Sequence, residues 1–240
     1  MKIFTPILNK IGKKGFYIAI DGPVASGKGT LASALTKEFD AEYLDTGAMY
    51  RCVSLFCLKN EIDILDKEVV AQVARDIDIE FIDGKTYLNK LNVSDDIRLP
   101  EVGSVVPVIA GNKKVRKELV KKQQDIARTA IKRNKIFIVE GRDIGTVVLP
   151  NAQIKIFLNA SVEVRAKRRR EQLLERGIKQ SIDVVTKEVI HRDRKDTKVN
   201  GALSEFPEKD GYIIIDNSNM TIEDNLALIN KYIKDKGLIK

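Results

Sequence analysis

Residues Gly22-Pro23-Val24-Ala25-Ser26-Gly27-Lys28-Gly29-Thr30 bring glycines, a lysine and a hydroxyl together in the spacing that cradles a polyphosphate. The glycines let backbone N–H groups turn toward anionic oxygens, and the N-terminus of a following helix adds about half a positive charge. Lys28 can reach the terminal phosphates. The flanks suit this chemistry: Phe16 to Asp21 is an apolar run of strand formers, and Leu31, Ala34, Leu35 and Phe39 recur at helical spacing. A Gly-rich turn of purely structural use is the competing reading, and the strand–loop–helix context argues against it.

Three further clusters carry chemistry. Asp45-Thr46-Gly47-Ala48-Met49-Tyr50-Arg51 follows a short strand-like segment, where a nucleotide would lie at the carboxyl edge of a parallel sheet. The Arg51 fork suits a phosphate, with Tyr50 beside it; alternatively, Asp45 and Thr46 cap a helix and Arg51 is solvated. Glu140-Gly141-Arg142-Asp143-Ile144-Gly145-Thr146-Val147-Val148 follows the apolar run Ile136 to Val139. A carboxylate there can accept the exocyclic amine of a base and Arg142 can hold phosphate, or Arg142 and Asp143 pair with each other or cap a turn. Arg165, Arg168 and Arg169 share one helical face in a basic stretch that runs to Arg176, and Gly177 and Ser181 then open a second helix with Arg192 and Asp196 one turn apart. Such a stretch is a solvated surface, a nucleic-acid groove, or a helical lid that folds over ATP. His191 reads as an ordinary helix residue.

The elements that must position these residues alternate. Strands are predicted at Phe16 to Ile20, Ile136 to Val139, Ile154 to Leu158 and Tyr212 to Ile215, with Glu42-Tyr43-Leu44 a weaker fifth. Helices are predicted around residues 49–60, 115–132, 161–175, 181–197 and 221–236, the last capped by Thr221. The alternation implies an α/β fold with a parallel sheet covered by helices on both faces. Ile77 to Ile82 alternates with period two, Asp83-Gly84 supplies a turn, and Thr86 to Leu91 resumes extended character, so a β-hairpin is inserted in this rhythm.

At 240 residues, with 43% hydrophobic and 32% charged side chains, the chain belongs to the ordinary globular class and can bury a sizeable core. A net charge of +8 suits an anionic partner without choosing between nucleotide, nucleic acid and anionic surface. Two cysteines, Cys52 and Cys57, stand at a spacing that fits neither a zinc site nor a redox pair. Residues 1–15 are too broken by Asn9, Lys10 and Lys13 for a signal peptide and read as an N-terminal extension. No run reaches the ~18 apolar residues of a spanning helix, so a cytoplasmic protein is expected.

Taken together these motifs resemble the bacterial cytidylate kinases, within the P-loop nucleoside monophosphate kinases, from about Phe16 to the C-terminus. The resemblance rests on Asp21 to Thr30 with its Gly-Lys-Gly-Thr ending, Asp45 to Arg51, Val115-Arg116, Gly141-Arg-Asp-Ile-Gly-Thr-Val-Val148 and Arg192-Asp-Arg-Lys-Asp196. It implies transfer of the γ-phosphoryl group of ATP to CMP or dCMP, with Mg2+ on the donor. It also implies a P-loop NTPase fold, as one kinase domain over 16–240, with an NMP-binding insertion at about 63–105 and an ATP lid at about 165–192.

By the same resemblance Gly22 to Thr30 with Arg165, Arg168 and Arg169 would hold ATP, and Lys28, Arg142 and Arg192 would be catalytic. Thr46, Tyr50, Arg51 and Arg142 would lie by the acceptor phosphate, Arg116 and Asp143 by cytosine, and Arg192 and Asp196 by the sugar. Gly29 stands where a hydroxyl usually follows the lysine, so Mg2+ is expected on nucleotide oxygens and water, with no protein residue assigned to it. Lys198-Val199 and Pro107 depart from the family pattern, which loosens the expected base or sugar selectivity. The expected partners are small nucleotides, with neither nucleic acid nor membrane, and the expected state is a monomer.

Two rivals remain at this point. A UMP- or AMP-directed kinase is the nearer, and a P-loop nucleic-acid-binding ATPase the more distant. A GTPase lacks its guanine reader, since Asn112-Lys113-Lys114-Val115 fails at the last position of Asn-Lys-x-Asp.

Overall fold

Strand β1, Tyr17–Asp21, is the element on which the first part of the molecule is built, because four of its five residues are buried and it pairs on both sides. The computed structural model describes residues 15–82, 84–133, 135–200 and 211–239, without the side chains of 198–200. The expected N-terminal extension therefore lies, apart from Gly15, outside the described residues, as do Asp83 of the expected hairpin turn and the side chains of Lys198 and Val199.

The chain divides into two compact units, the second being residues 44–126 and the first the remainder, and each is described by itself. In the first, α1 (Lys28–Phe39), β2 (Glu42–Asp45), β6 (Phe137–Gly141), β7 (Ile154–Asn159), α6 (Val162–Leu174), α7 (Ile182–Asn200), β8 (Tyr212–Asp216) and α8 (Ile222–Asp235) surround β1. The sheet order is β2-β6-β1-β7-β8, with β1 parallel to both β6 and β7, and β7 parallel to β8. All five predicted strands are present, the weak fifth as the edge strand β2.

The continuous apolar character of these strands follows from burial. Ile18, Ile20, Ile138, Ile154, Ile156 and Leu158 are sealed from water and pack with Leu31, Leu35, Ile229 and Ile233 of α1 and α8. Each such side chain contributes roughly 1.5–3 kcal/mol by leaving water. Thr221 caps α8 as expected, within a capping box in which Thr221 and Asp224 satisfy one another's backbone N–H groups. Helices α6 and α7 share a smaller apolar cluster of Ala166, Leu173, Val185 and Val189, against which Val24 of the Gly-rich loop also packs.

In the second unit α2 (Thr46–Lys59), α3 (Lys67–Asp76), α4 (Pro100–Gly111) and most of α5 (Lys113–Lys132) accompany a small antiparallel sheet of β3 (Ile79–Ile82), β4 (Lys85–Leu88) and β5 (Leu91–Asn92). The predicted hairpin is β3–β4, paired Phe81 to Thr86 and Ile82 to Lys85, and β5 extends it by one short strand. Helices α3 and α4 were not among the predicted elements. The segment expected as an insertion, about 63–105, falls within this unit.

Candidate active site at the carboxyl end of the parallel sheet

The chain leaves β1 into a loop that only particular residues can trace. Gly22 has φ +153°, and a β-carbon there would collide with the carbonyl oxygen of Leu158 on β7. Gly27 has φ +94°, a left-handed conformation that glycine adopts without penalty, and it is the residue before α1. Ala25, at φ +57°, is also left-handed. Such turns aim backbone N–H groups into a concavity suited to an anion.

Lys28 is the first residue of α1 and only 7% exposed. Its Nζ donates to the carbonyl of Pro23 at 2.7 Å and to Ser26 Oγ at 3.4 Å. Both acceptors are neutral, so an anionic phosphate offers the ammonium a stronger partner than either. A β-carbon on Gly29 would lie 3.3 Å from Oε1 of Glu140, the carboxylate that also accepts the Tyr43 hydroxyl. The missing hydroxyl at position 29 is thus matched by a carboxylate at that spot.

Asp21, the last residue of β1, is fully buried and holds the second motif in place. Its carboxylate accepts the N–H of Ile144 at 2.7 Å, the N–H of Gly145 at 2.9 Å and the Tyr212 hydroxyl at 2.7 Å. Burial pushes the Asp21 carboxyl up, and these three hydrogen bonds pull it back. Burial and the Asp21 charge push the Tyr212 phenol far up, so it serves as a firm donor. Residues Ile144–Val148 form one π-helical turn, in which the N–H groups of Val147 and Val148 both reach the Asp143 carbonyl. A π-turn is an uncommon device that recurs at functional sites, and here it presents Arg142 and Asp143.

Arg142, Arg165 and Arg168 of this unit are each engaged with acceptors. Arg142 donates from Nε to Asp196 at 2.7 Å and from Nη1 to the Gly22 carbonyl at 2.9 Å. Arg142 and Asp143 therefore do not exhaust one another, and Asp196 meets Arg142 across 54 residues of sequence. Arg165, 4% exposed, donates to the carbonyls of Ala160 and Val24 and pairs with Asp193 at 2.7 Å. Arg168 donates to the Ser26 carbonyl and to Asn217. Arg169 is half-buried, and its burial and the nearby Arg176 lower its hold on its proton. Arg192 is half-buried on α7 one turn before Asp196, whereas His191 is exposed.

In the second unit Thr46 opens α2 and is buried, and Asp45 caps that helix by accepting the N–H of Ala48 at 3.1 Å. The capping reading of Asp45 therefore holds. Arg51 is half-buried and donates from Nη1 to the Ile97 carbonyl at 3.0 Å, so it is not the solvated side chain of the alternative reading. Tyr50 and Arg116 are half-buried on α2 and α5.

Three site-building residues were given no role of their own by the sequence. Asp21 looked like the end of a strand, Tyr212 like a strand residue, and Asn217 like part of a loop. Asn217 follows β8 at the same carboxyl edge of the parallel sheet, where ligands of such folds bind, and that position was a usable sign.

A family model described as cytidylate kinase matches residues 18–235. The chain belongs to the cytidylate kinase family. It is 40% identical over 219 residues to a cytidylate kinase of Thermosipho melanesiensis, covering 91% of this chain and 97% of that one. It is 39% identical over 223 residues to a cytidylate kinase of Thermotoga maritima, covering 92% and 98%. A crystal structure of an uncharacterized protein from Eubacterium ventriosum superposes with a TM-score of 0.50 at 13% identity, covering 91% of this chain and 98% of that one. That likeness concerns the fold alone. Membership of a kinase family favours the nucleotide-kinase reading over the nucleic-acid-binding ATPase. No helix among the described residues is long and apolar enough to cross a membrane.

Proposed function

We propose that this protein transfers the γ-phosphoryl group of ATP to CMP or dCMP, giving CDP or dCDP and ADP. The observation that carries the reading is the meeting of Arg142 with both the Gly-rich loop, through Gly22, and Asp196. One guanidinium thus stands beside a phosphate cradle and beside a carboxylate able to accept a hydroxyl. Family membership supplies the substrate class.

The mechanism asks for positioning and charge neutralisation, because the acceptor phosphate is already an oxyanion and needs no protein nucleophile. Gly22 to Thr30 hold the donor phosphates through backbone N–H groups and the N-terminus of α1. Lys28 exchanges its neutral acceptors for the terminal phosphates. Arg142 and Arg192 neutralise the group in transit, and Asp196 holds Arg142 in its orientation and accepts from the sugar. Asp143 takes the base amine. Thr46, Tyr50, Arg51 and Arg116 are the acceptor contacts proposed for the second unit. Arg165 and Arg168 act on the loop through its carbonyls, and Arg169 is the cation of α6 proposed for the phosphates directly.

Mg2+ fits this chemistry, since Glu140 offers a hard oxygen donor beside Gly29; no group of three or more ligating side chains gathers anywhere among the described residues, so nucleotide oxygens and water would supply the rest of its coordination. Glu140 would hold the ion, which supplies charge neutralisation on the donor phosphates. The helical pair α6–α7 is proposed as a lid that excludes water. The monomer and the cytoplasm are the proposed state and place.

The test is a coupled ADP-release assay with ATP and each of CMP, dCMP, UMP and AMP. CMP and dCMP are expected to turn over fastest by kcat/KM. No ADP release with any of the four would overturn the proposal, and a preference for UMP or AMP would redirect it.

A further inference from the structure

The same glycine that lets the phosphate loop adopt its shape leaves one of its peptide planes free to turn over. The plane between Ser26 and Gly27 is followed by a residue with φ +94°, and glycine tolerates either sign of φ. A peptide unit is flat with its C=O and N–H pointing opposite ways, so whatever fixes the Ser26 carbonyl also fixes the Gly27 N–H. Ser26 is wholly buried, and its carbonyl faces two donors from distant parts of the chain.

One is Nδ2 of Asn217, 2.9 Å away, and the other is Nη1 of Arg168 at 3.4 Å. The two donors lock each other. Arg168 donates from Nη1 to Asn217 Oδ1 at 3.0 Å and from Nη2 to the Asn217 backbone carbonyl at 3.1 Å. These contacts leave the Asn217 amide a single sensible orientation, oxygen toward the arginine and nitrogen toward Ser26. The Asn217 N–H is in turn tied to the carbonyl of Asn159, at the end of β7, at 2.9 Å. A β-carbon on Gly27 would stand 3.2 Å from Asn217 Nδ2, which shows how closely the amide rests on the loop.

We infer that Asn217 is a positioning residue for the donor phosphates: its amide, with Arg168, holds the Ser26–Gly27 peptide so that the Gly27 N–H faces the phosphate cradle. The inference deepens the proposed function and rests on its reading of Gly22 to Thr30 as the ATP site. It differs from a contact with the base. Asn217 also borders a cavity lined by Ala25, Thr30, Glu171, Met220 and Ile222, so a direct reading of the nucleoside is the competing role.

The test separates these roles by dividing the ligand. Binding of inorganic tripolyphosphate, of adenosine and of ATP is measured by calorimetry for the full chain and for Asn217→Ala and Asn217→Asp, with thermal melting alongside. The aspartate keeps an acceptor for Arg168 and removes the donor to Ser26, so it carries the test should the alanine variant not fold. Both variants are expected to lose about tenfold or more in tripolyphosphate and ATP affinity, the worth of one lost hydrogen bond to a charged group. Adenosine affinity and the KM for CMP are expected to stay within about twofold of the parent. Unchanged tripolyphosphate affinity, with or without weaker adenosine binding, would overturn the inference. So would equal losses for adenosine and tripolyphosphate. Binding is read without an acceptor, so a failure to phosphorylate CMP bears on the function proposed above and not on this measurement.

Discussion

Arg142 and Asp196 form a 2.7 Å ion pair whose side chains are only 22% and 18% exposed, and the same arginine spans to the Gly22 carbonyl. A pair so sheltered is worth more than a surface pair, because water and salt screen it less. Asp196 therefore holds the guanidinium in one orientation at the edge of the Gly-rich loop.

Asp196→Asn should keep the size of the side chain and remove its charge. Stability is expected to fall by about 1–3 kcal/mol, and kcat/KM for CMP by at least about tenfold, while the KM for ATP changes less than that for CMP. Thermal melting and steady-state kinetics on one preparation check both. Equal effects on the two substrates would remove Asp196 from the acceptor side.

Lys28→Ala should leave the strands and α1 in place, since its Nζ donates to Pro23 and Ser26 of the same loop, and lower turnover by at least about a hundredfold. Circular dichroism and the ADP-release assay decide it. Turnover near that of the parent would refute the role of the ammonium.

Tyr212→Phe removes one of three donors to a fully buried carboxylate. About 1–3 kcal/mol of stability is expected to go, a shift of a few degrees in melting temperature for a chain of this size. The π-turn after Asp143 still has the two N–H bonds to Asp21, so kcat should fall less than stability suggests. A variant as stable as the parent would show that the hydroxyl contributes nothing net to holding the carboxylate.

Cys52 and Cys57 are buried on α2, and burial pushes their thiols up to about 12 and about 11. In the unfolded chain the same thiols ionise near their ordinary value of 9.0. The native state thus keeps protons that the unfolded state has lost, so these groups make stability decline as pH rises from about 9 toward those values. Melting temperature against pH should show that decline, with a shallower slope in a Cys52→Ala/Cys57→Ala variant. At pH 8 the native thiols should resist iodoacetamide until the protein is unfolded.

The parallel sheet was legible because strands buried on both faces read as unbroken apolar runs, and Ile18, Ile138 and Ile156 are such residues. The phosphate loop was legible because its chemistry is local. Helix α3 went unread although Asp66 caps it by accepting from Glu68 and Val69, since its buried face is only Val70, Ala71, Val73 and Ala74. Helix α4 begins at Pro100 and contains Pro107, two residues that suggest interruption; Pro100 is tolerated at the helix start, and Pro107 costs one backbone bond. The partners of the Asp21 carboxylate, the Arg142 guanidinium and the Ser26 carbonyl lie 54 to 191 residues away, and no window of sequence brings such groups together.

The strand order sets the earliest moment at which the phosphate loop can exist during synthesis. Both neighbours of β1 come late, since Tyr17 pairs with Phe137 and Ile18 with Ile154, and the residues between, 44–126, condense around contacts of their own. A nascent chain that has not yet extruded β6 and β7 holds β1 as an unpartnered apolar strand, exposed to other chains on the ribosome. The nucleotide cradle is thus completed only after residues 137–159 have emerged, although its own residues, 22–30, emerge long before them.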